Sequence, residues 1–165
     1  MSHYRVETRP ETPTVGITEA ITMTEFAKVA DRIPELAGWL AERGTRPAGP
    51  PFFRYHVIDM AAELVVEVGF PVPDDVTLAS AGDVTMSTIP AGRYVTTVHR
   101  GHPDELADAT SELLRWAAAE GLAFDRHDND AGDAWAGRFE FYLTDPAEQP
   151  DMAAWDTELA FKLAD

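Results

Sequence analysis

The 165-residue chain contains no cysteine. That excludes a disulfide framework, thiolate metal ligands and a cysteine nucleophile. Lysine is nearly absent. Of 13 basic residues only Lys28 and Lys162 are lysines, against 29 acidic residues. The net charge of −16 and the pI of about 4.5 repel a phosphate backbone, so direct nucleic-acid binding is not expected. The same field attracts small cations. No apolar run approaches the length of a membrane span. Met1-Ser2-His3-Tyr4-Arg5-Val6 lacks the apolar core of a signal peptide. The expectation is a cytoplasmic protein without membrane contact.

The familiar catalytic signatures are missing as well. His3, His56, His99, His102 and His127 form no H-E-x-x-H pattern. There is no glycine-rich phosphate loop and no G-x-S-x-G elbow. Asp125, Asp128, Asp130 and Asp133 crowd one stretch expected to be a polar loop. It lacks the glycine and terminal glutamate of a calcium loop. Neither a metal nor a cofactor is expected. His102 stands at the start of a helix, where a capping or loop role is expected rather than catalysis.

What is present is a repeat. Leu36-Ala37-Gly38-Trp39-Leu40-Ala41-Glu42-Arg43-Gly44 matches Leu113-Leu114-Arg115-Trp116-Ala117-Ala118-Ala119-Glu120-Gly121 in Leu, Trp, Ala and Gly at one fixed offset. A shared L-x-x-W-x-x-x-x-G helix end points to one supersecondary unit present twice. Phe26, Val29, Ala30, Ile33, Leu36, Ala37 and Leu40 share a helical face, as do Leu106, Ala109, Thr110, Leu113, Leu114 and Ala117. Pro34 must kink the first helix or restart it as its first residue. Gly44 and Gly121 stop the two helices. Trp39 and Trp116 fall on the same flank of the two stripes. There they seal the edge of the core or face the seam between the units.

Alternation marks strands around both helices. They run from Tyr4 to Thr8, Thr14 to Ile21, Phe52 to Ile58 and Glu63 to Phe70 in the first unit. In the second they run from Val84 to Ile89, Arg93 to His99, Arg138 to Leu143 and Thr157 to Leu163. Pro90-Ala91-Gly92 is expected as a turn. The resulting expectation is an α+β domain spanning 1–165. It holds tandem strand-helix-strand-strand repeats at about 1–75 and 76–165, an antiparallel sheet, two long helices and a pseudo-twofold ligand cleft. Glu63, Val65 and Glu67 share a hairpin face expected to meet solvent.

Several stretches resemble the GyrI-like small-molecule-binding domain, the effector-binding module of some AraC-type and MerR-type regulators. They are Pro50-Pro51-Phe52 with Arg54-Tyr55-His56, and Val66-Glu67-Val68-Gly69-Phe70-Pro71-Val72. Further ones are Ile89-Pro90-Ala91-Gly92-Arg93-Tyr94, His99-Arg100-Gly101, and Phe139-Glu140-Phe141-Tyr142-Leu143-Thr144-Asp145-Pro146. Their order and spacing carry the resemblance across nearly the whole chain. No helix-turn-helix stands ahead of the domain in these residues, so a stand-alone form is expected.

The resemblance implies that Glu140 and Tyr142, two apart on one strand, line the ligand pocket. Phe53 and Tyr55 form a same-face pair on the matching strand. With Trp39 and Trp116 they complete the expected aromatic lining. The implied ligand is a bulky, hydrophobic, often cationic aromatic molecule, held by a buried carboxylate and ring faces. The protein partner, if any, is unspecified. The alternative is a hydrolase that opens the cyclopropane of DNA-alkylating natural products, with Glu140 and Tyr142 as its catalytic pair. A third is a gyrase-inhibitor-like protein binder.

Overall fold

A computed structural model describes residues 3–164. Its centre is a ten-stranded antiparallel sheet: β1 (Arg5–Arg9), β2 (Thr12–Ile21), β3 (Phe52–Ile58), β4 (Leu64–Pro71), β5 (Thr85–Ile89), β6 (Gly92–Arg100), β7 (Arg126–Asn129), β8 (Gly132–Trp135), β9 (Arg138–Tyr142) and β10 (Asp156–Lys162). The main order is β1-β6-β10-β9-β3-β4-β2-β5, with β8 added to β3 and β7 to β8. The sheet curls, and the helices α1 (Phe26–Ala30), α2 (Arg32–Glu42) and α3 (Leu106–Ala119) make the fold α+β.

The middle of the sheet is the β3–β9 pair, in which Phe52 faces Phe141, Phe53 faces Glu140 and Arg54 faces Phe139. The order of roles is the same outward from either side of this seam. At the two rims the chain exchanges strands. β1 precedes β2 in sequence yet pairs with β6, and β5 precedes β6 yet pairs with β2. The expected turn at Pro90-Ala91-Gly92 is therefore not a hairpin. Pro10 and Pro90 stand in the two short connections, where a fixed φ and a missing N–H disfavour a tight reversal. The chain runs on extended and crosses to the other half.

The first helix breaks at Asp31 and resumes at Arg32. Pro34 is the third residue of α2 rather than the first. Its absent N–H is still among the donors that a helix start leaves free. The repeated glycine has a direct cause. Gly44 (φ +65°) and Gly121 (φ +73°) both take the left-handed conformation. The next N–H then folds back, Thr45 to the Leu40 carbonyl at 3.1 Å and Leu122 to the Ala117 carbonyl at 2.9 Å.

The sheet separates two apolar clusters. On the helix side Val29, Leu36, Leu40, Leu106 and Leu113 pack on Ile17, Val66, Val68, Val95, Leu159 and Phe161. On the other side Phe52, Ile89, Tyr94, Phe139, Phe141 and Ala160 pack together. The stretch from Asp125 to Asp133 departs from expectation. It forms the β7–β8 hairpin, whose turn is closed by Asn129 Oδ1 accepting from the N–H groups of Ala131 and Gly132. Glu67 also departs: it is 2% exposed, with its side chain lying over Gly16 of β2 and its Oε1 2.8 Å from His56 Nε2.

Packing at β4 is tight enough to test. A Cβ on Gly69 would lie 2.7 Å from the Phe52 ring and 2.7 Å from the Val15 carbonyl oxygen. The carbonyl belongs to the neighbouring strand and cannot swing away. Gly69→Ala should cost about 1–3 kcal/mol, read as a lower midpoint in urea unfolding.

Candidate functional site

Alternation along β9 puts Arg138, Glu140 and Tyr142 on the helix side and sends Phe139 and Phe141 into the opposite cluster. On β3, Phe53 and Tyr55 share the helix side. Pairing of the two strands sets Phe53 directly across from Glu140. Glu140 is 8% exposed. The Tyr142 hydroxyl donates to its Oε1 at 2.8 Å, and the Tyr55 hydroxyl lies close enough to stabilise the ionised form. Phe53 meets Tyr142 edge to face at 5.2 Å. Phe26 of α1 leans on Tyr55 at 6.4 Å.

Burial pushes the Glu140 carboxyl upward. The tyrosine hydrogen bonds and the Arg138 charge pull it back only in part. Burial and the adjacent Glu140 charge hold both phenols well above the usual value of 10.0. Tyr55 and Tyr142 therefore stay neutral donors at physiological pH. The site offers one carboxylate of adjustable charge, two hydroxyl donors and aromatic walls.

Arg138 belongs to the same group, and the sequence reading passed over it. It is 9% exposed, with its guanidinium carbon 4.7 Å from the ring centres of Trp135 and Phe161 and 5.8 Å from Tyr55. Burial lowers its pKa. Its Nε has no hydrogen-bond partner among the described residues. The signal was available in Arg138-Phe139-Glu140-Phe141-Tyr142, where every second residue is polar or carries a hydroxyl.

The structure brings Phe53, Tyr55, Glu140 and Tyr142 together and leaves the two indoles apart from them. Trp39 lies under the Arg43 guanidinium at 3.7 Å. Trp116 stacks on Tyr4 at 4.9 Å and 19°. Each is half-buried against the core within its own half. A second polar group sits on the opposite face of the sheet, where His56 Nε2 is 2.8 Å from Glu67 Oε1. Arg54 there donates to the carbonyls of Thr88 and Ala136. His102 accepts the Asp104 N–H at 3.0 Å through Nδ1, the expected cap. Two cavities, of about 210 and 310 Å³, lie along β6 and β1, and Glu140 lines neither. Among the described residues no His, Asp or Glu cluster suits a metal, and no helix is long and apolar enough to cross a membrane.

A curled antiparallel sheet with its helices flanking a central two-strand seam defines the class: an α+β half-barrel domain. The chain belongs to the GyrI-like small molecule binding domain family, whose model matches residues 2–164. The fold is shared with the crystal structure of the EcmrR C-terminal domain (TM-score 0.77, 20% identity, 99% of this chain and 98% of that one). In the EcmrR–DNA complex the chain spans 57% of the EcmrR polypeptide, with TM-score 0.78 and 20% identity. SAV2435 bound to tetraphenylphosphonium is also similar (TM-score 0.66, 11% identity, 98% and 94% coverage). So is a hydrolase from Listeria innocua (TM-score 0.65, 19% identity, 98% and 91% coverage). No protein of curated function has significant sequence similarity to the chain.

Proposed function

We propose that the domain binds bulky aromatic cations, with Glu140 as the counter-charge and Phe53, Tyr55 and Tyr142 as the surrounding rings. Trp39 and Trp116, which lie apart from these rings, stand outside the proposed site. The observation that carries this reading is the buried Glu140 carboxylate held by tyrosine hydroxyls at the β3–β9 seam. A buried carboxylate is costly unless something compensates it. A lipophilic cation compensates it while its rings gain apolar area and cation–π contact. Arg138 supplies part of that compensation in the free protein. The structure of SAV2435, which has the same fold and is bound to tetraphenylphosphonium, supports this choice of ligand type. Titration of the protein with tetraphenylphosphonium, followed by tryptophan quenching and calorimetry, tests the reading. Saturable one-site binding is expected, and its absence defeats the proposal.

A second reading is supported by the raised Glu140 pKa, which suits a general acid or base. Here Glu140 takes a proton from a water that attacks a strained cyclopropane carbon. The carbon–carbon bond breaks, one carbon gains the hydroxyl and the other receives the proton. Incubation with a cyclopropane-bearing alkylator should then yield a product heavier by one water, and Glu140→Gln should abolish it. Unchanged alkylator with saturable quenching leaves binding alone.

A further inference from the structure

The two halves correspond residue by residue along their rims. Arg9 pairs with Gly92 and Arg5 with Thr96, while Ile89 pairs with Thr12 and Thr85 with Gly16. β1 therefore stands to β6 as β5 stands to β2. In that correspondence Ile17 matches Thr97 and Glu19 matches His99. Along the helices the shared Leu-x-x-Trp segment matches Arg32 to Ala109 and Glu35 to Glu112.

In the first half, the groove between α2 and the rim strands holds the Arg32 guanidinium. Its Nη2 donates to Glu35 Oε2 at 2.7 Å and to Asp83 Oδ2 at 3.1 Å, and its Nη1 to Glu19 Oε1 at 3.3 Å. In the second half Ala109 stands in place of Arg32, and the groove is open. A cavity of about 210 Å³ is lined there by Thr97, His99, Glu105, Asp108, Ala109 and Glu112. One carboxylate receiver is kept, Glu112 in the place of Glu35, with Glu105 and Asp108 as further acids along the groove, and the cation is not. Thr97 is 7% exposed, and it lies on the helix side because it pairs with Leu159 of that core. Its Oγ1 has no hydrogen-bond partner among the described residues. His99 Nε2 lies 3.5 Å from Glu105 Oε1. Tyr4, stacked on Trp116, supplies a flat wall.

We propose that this groove is a second ligand site, separate from Glu140, for a guanidinium-bearing molecule. Glu112 takes the part that Glu35 plays for Arg32. Thr97 Oγ1 accepts a further N–H deep in the groove. A guanidinium presents planar, forked donors that match a carboxylate in two bonds, and it stacks on an aromatic face. An ammonium offers a point charge without that shape.

Agmatine is the probe, titrated into the isotope-labelled protein and followed by amide NMR, with putrescine and tetramethylammonium as cation controls at equal ionic strength. Saturable shifts are expected at Thr97, His99 and Ala109, with putrescine weaker and tetramethylammonium without effect. Ala109→Arg should place an internal guanidinium in the groove, abolish the shifts and raise the melting temperature. Glu112→Gln should weaken agmatine by about tenfold, the loss of one charge-assisted contact. Thr97→Val, which keeps the shape, should weaken it less. Glu140→Gln should leave agmatine binding unchanged. Shifts that never saturate, that persist in both Ala109→Arg and Glu112→Gln, or that putrescine reproduces equally would overturn the proposal.

Discussion

Glu140→Gln should reduce affinity for tetraphenylphosphonium by about 2 kcal/mol or more, roughly thirtyfold, while the protein stays folded. The expectation follows from burial. The residue is 8% exposed and its carboxylate is the charge partner proposed for the ligand. Glutamine keeps the shape and can still accept from Tyr142, so the packing survives and only the charge is lost. An affinity within about threefold of the parent, on that energy scale, would remove Glu140 from the binding mechanism.

The same residue sets a pH dependence of known sign. Burial raises its folded pKa above the ordinary 4.5. Between those two values the folded protein holds more protons than the unfolded chain, so stability falls as pH rises. Glu140 is thus most favourable to folding below 4.5 and least favourable once ionised. Glu140→Gln removes this dependence, so its melting temperature should gain on the parent as the pH is raised. Cation affinity runs the other way. It needs the ionised form, so binding should strengthen with pH through the raised value and then level off. A flat binding profile would mean that the cation does not read the Glu140 charge.

Phe139→Ala should be the most damaging single truncation considered, costing about 3–5 kcal/mol of a stability that is typically 5–15 kcal/mol. Phe139 is fully buried. It stacks on Phe141 at 5.5 Å and 18°, meets Phe52 edge-on at 5.5 Å, touches Tyr94 at 6.3 Å and lies 5.2 Å beneath the Arg54 guanidinium carbon. Alanine leaves a hole that three aromatic neighbours cannot collapse into. Scanning calorimetry should show a melting temperature lower by roughly 10 °C. Because Phe139 points away from Glu140, the folded fraction should still bind tetraphenylphosphonium. That separates the role of the opposite cluster, which is to hold β9 in register, from the role of the helix side. A loss no larger than that of a surface substitution would mean that the cluster is not a rigid core.

The local pattern in the chain was sufficient for the α+β class, for both helices with their glycine stops, and for the strands around them. Periodicity and left-handed glycines act within a few residues, so they survive in one dimension. The same locality made it plain that Phe139 and Phe141 face one side of β9 while Glu140 and Tyr142 face the other. Nothing local marked the exchange of β1 and β5 between halves. Pro10 and Pro90 refuse a hairpin, but only the rim of the sheet offers the alternative partner. The burial of Glu67 is also a tertiary matter, since its side chain lies over Gly16 of β2 and against His56 of β3. The Asp125–Asp133 stretch became a hairpin through an asparagine side chain that caps its own turn.

The repeated Leu-x-x-Trp helices, the acidic charge and the Arg-Phe-Glu-Phe-Tyr strand were determined by sequence alone. The meeting of Tyr55 with Glu140 was decided by the tertiary structure, as were the Arg138 guanidinium among Trp135, Phe161 and Tyr55 and the separation of the two indoles. Residues far apart in the chain meet only when strands choose their neighbours. That choice minimises exposed apolar surface over the whole sheet at once.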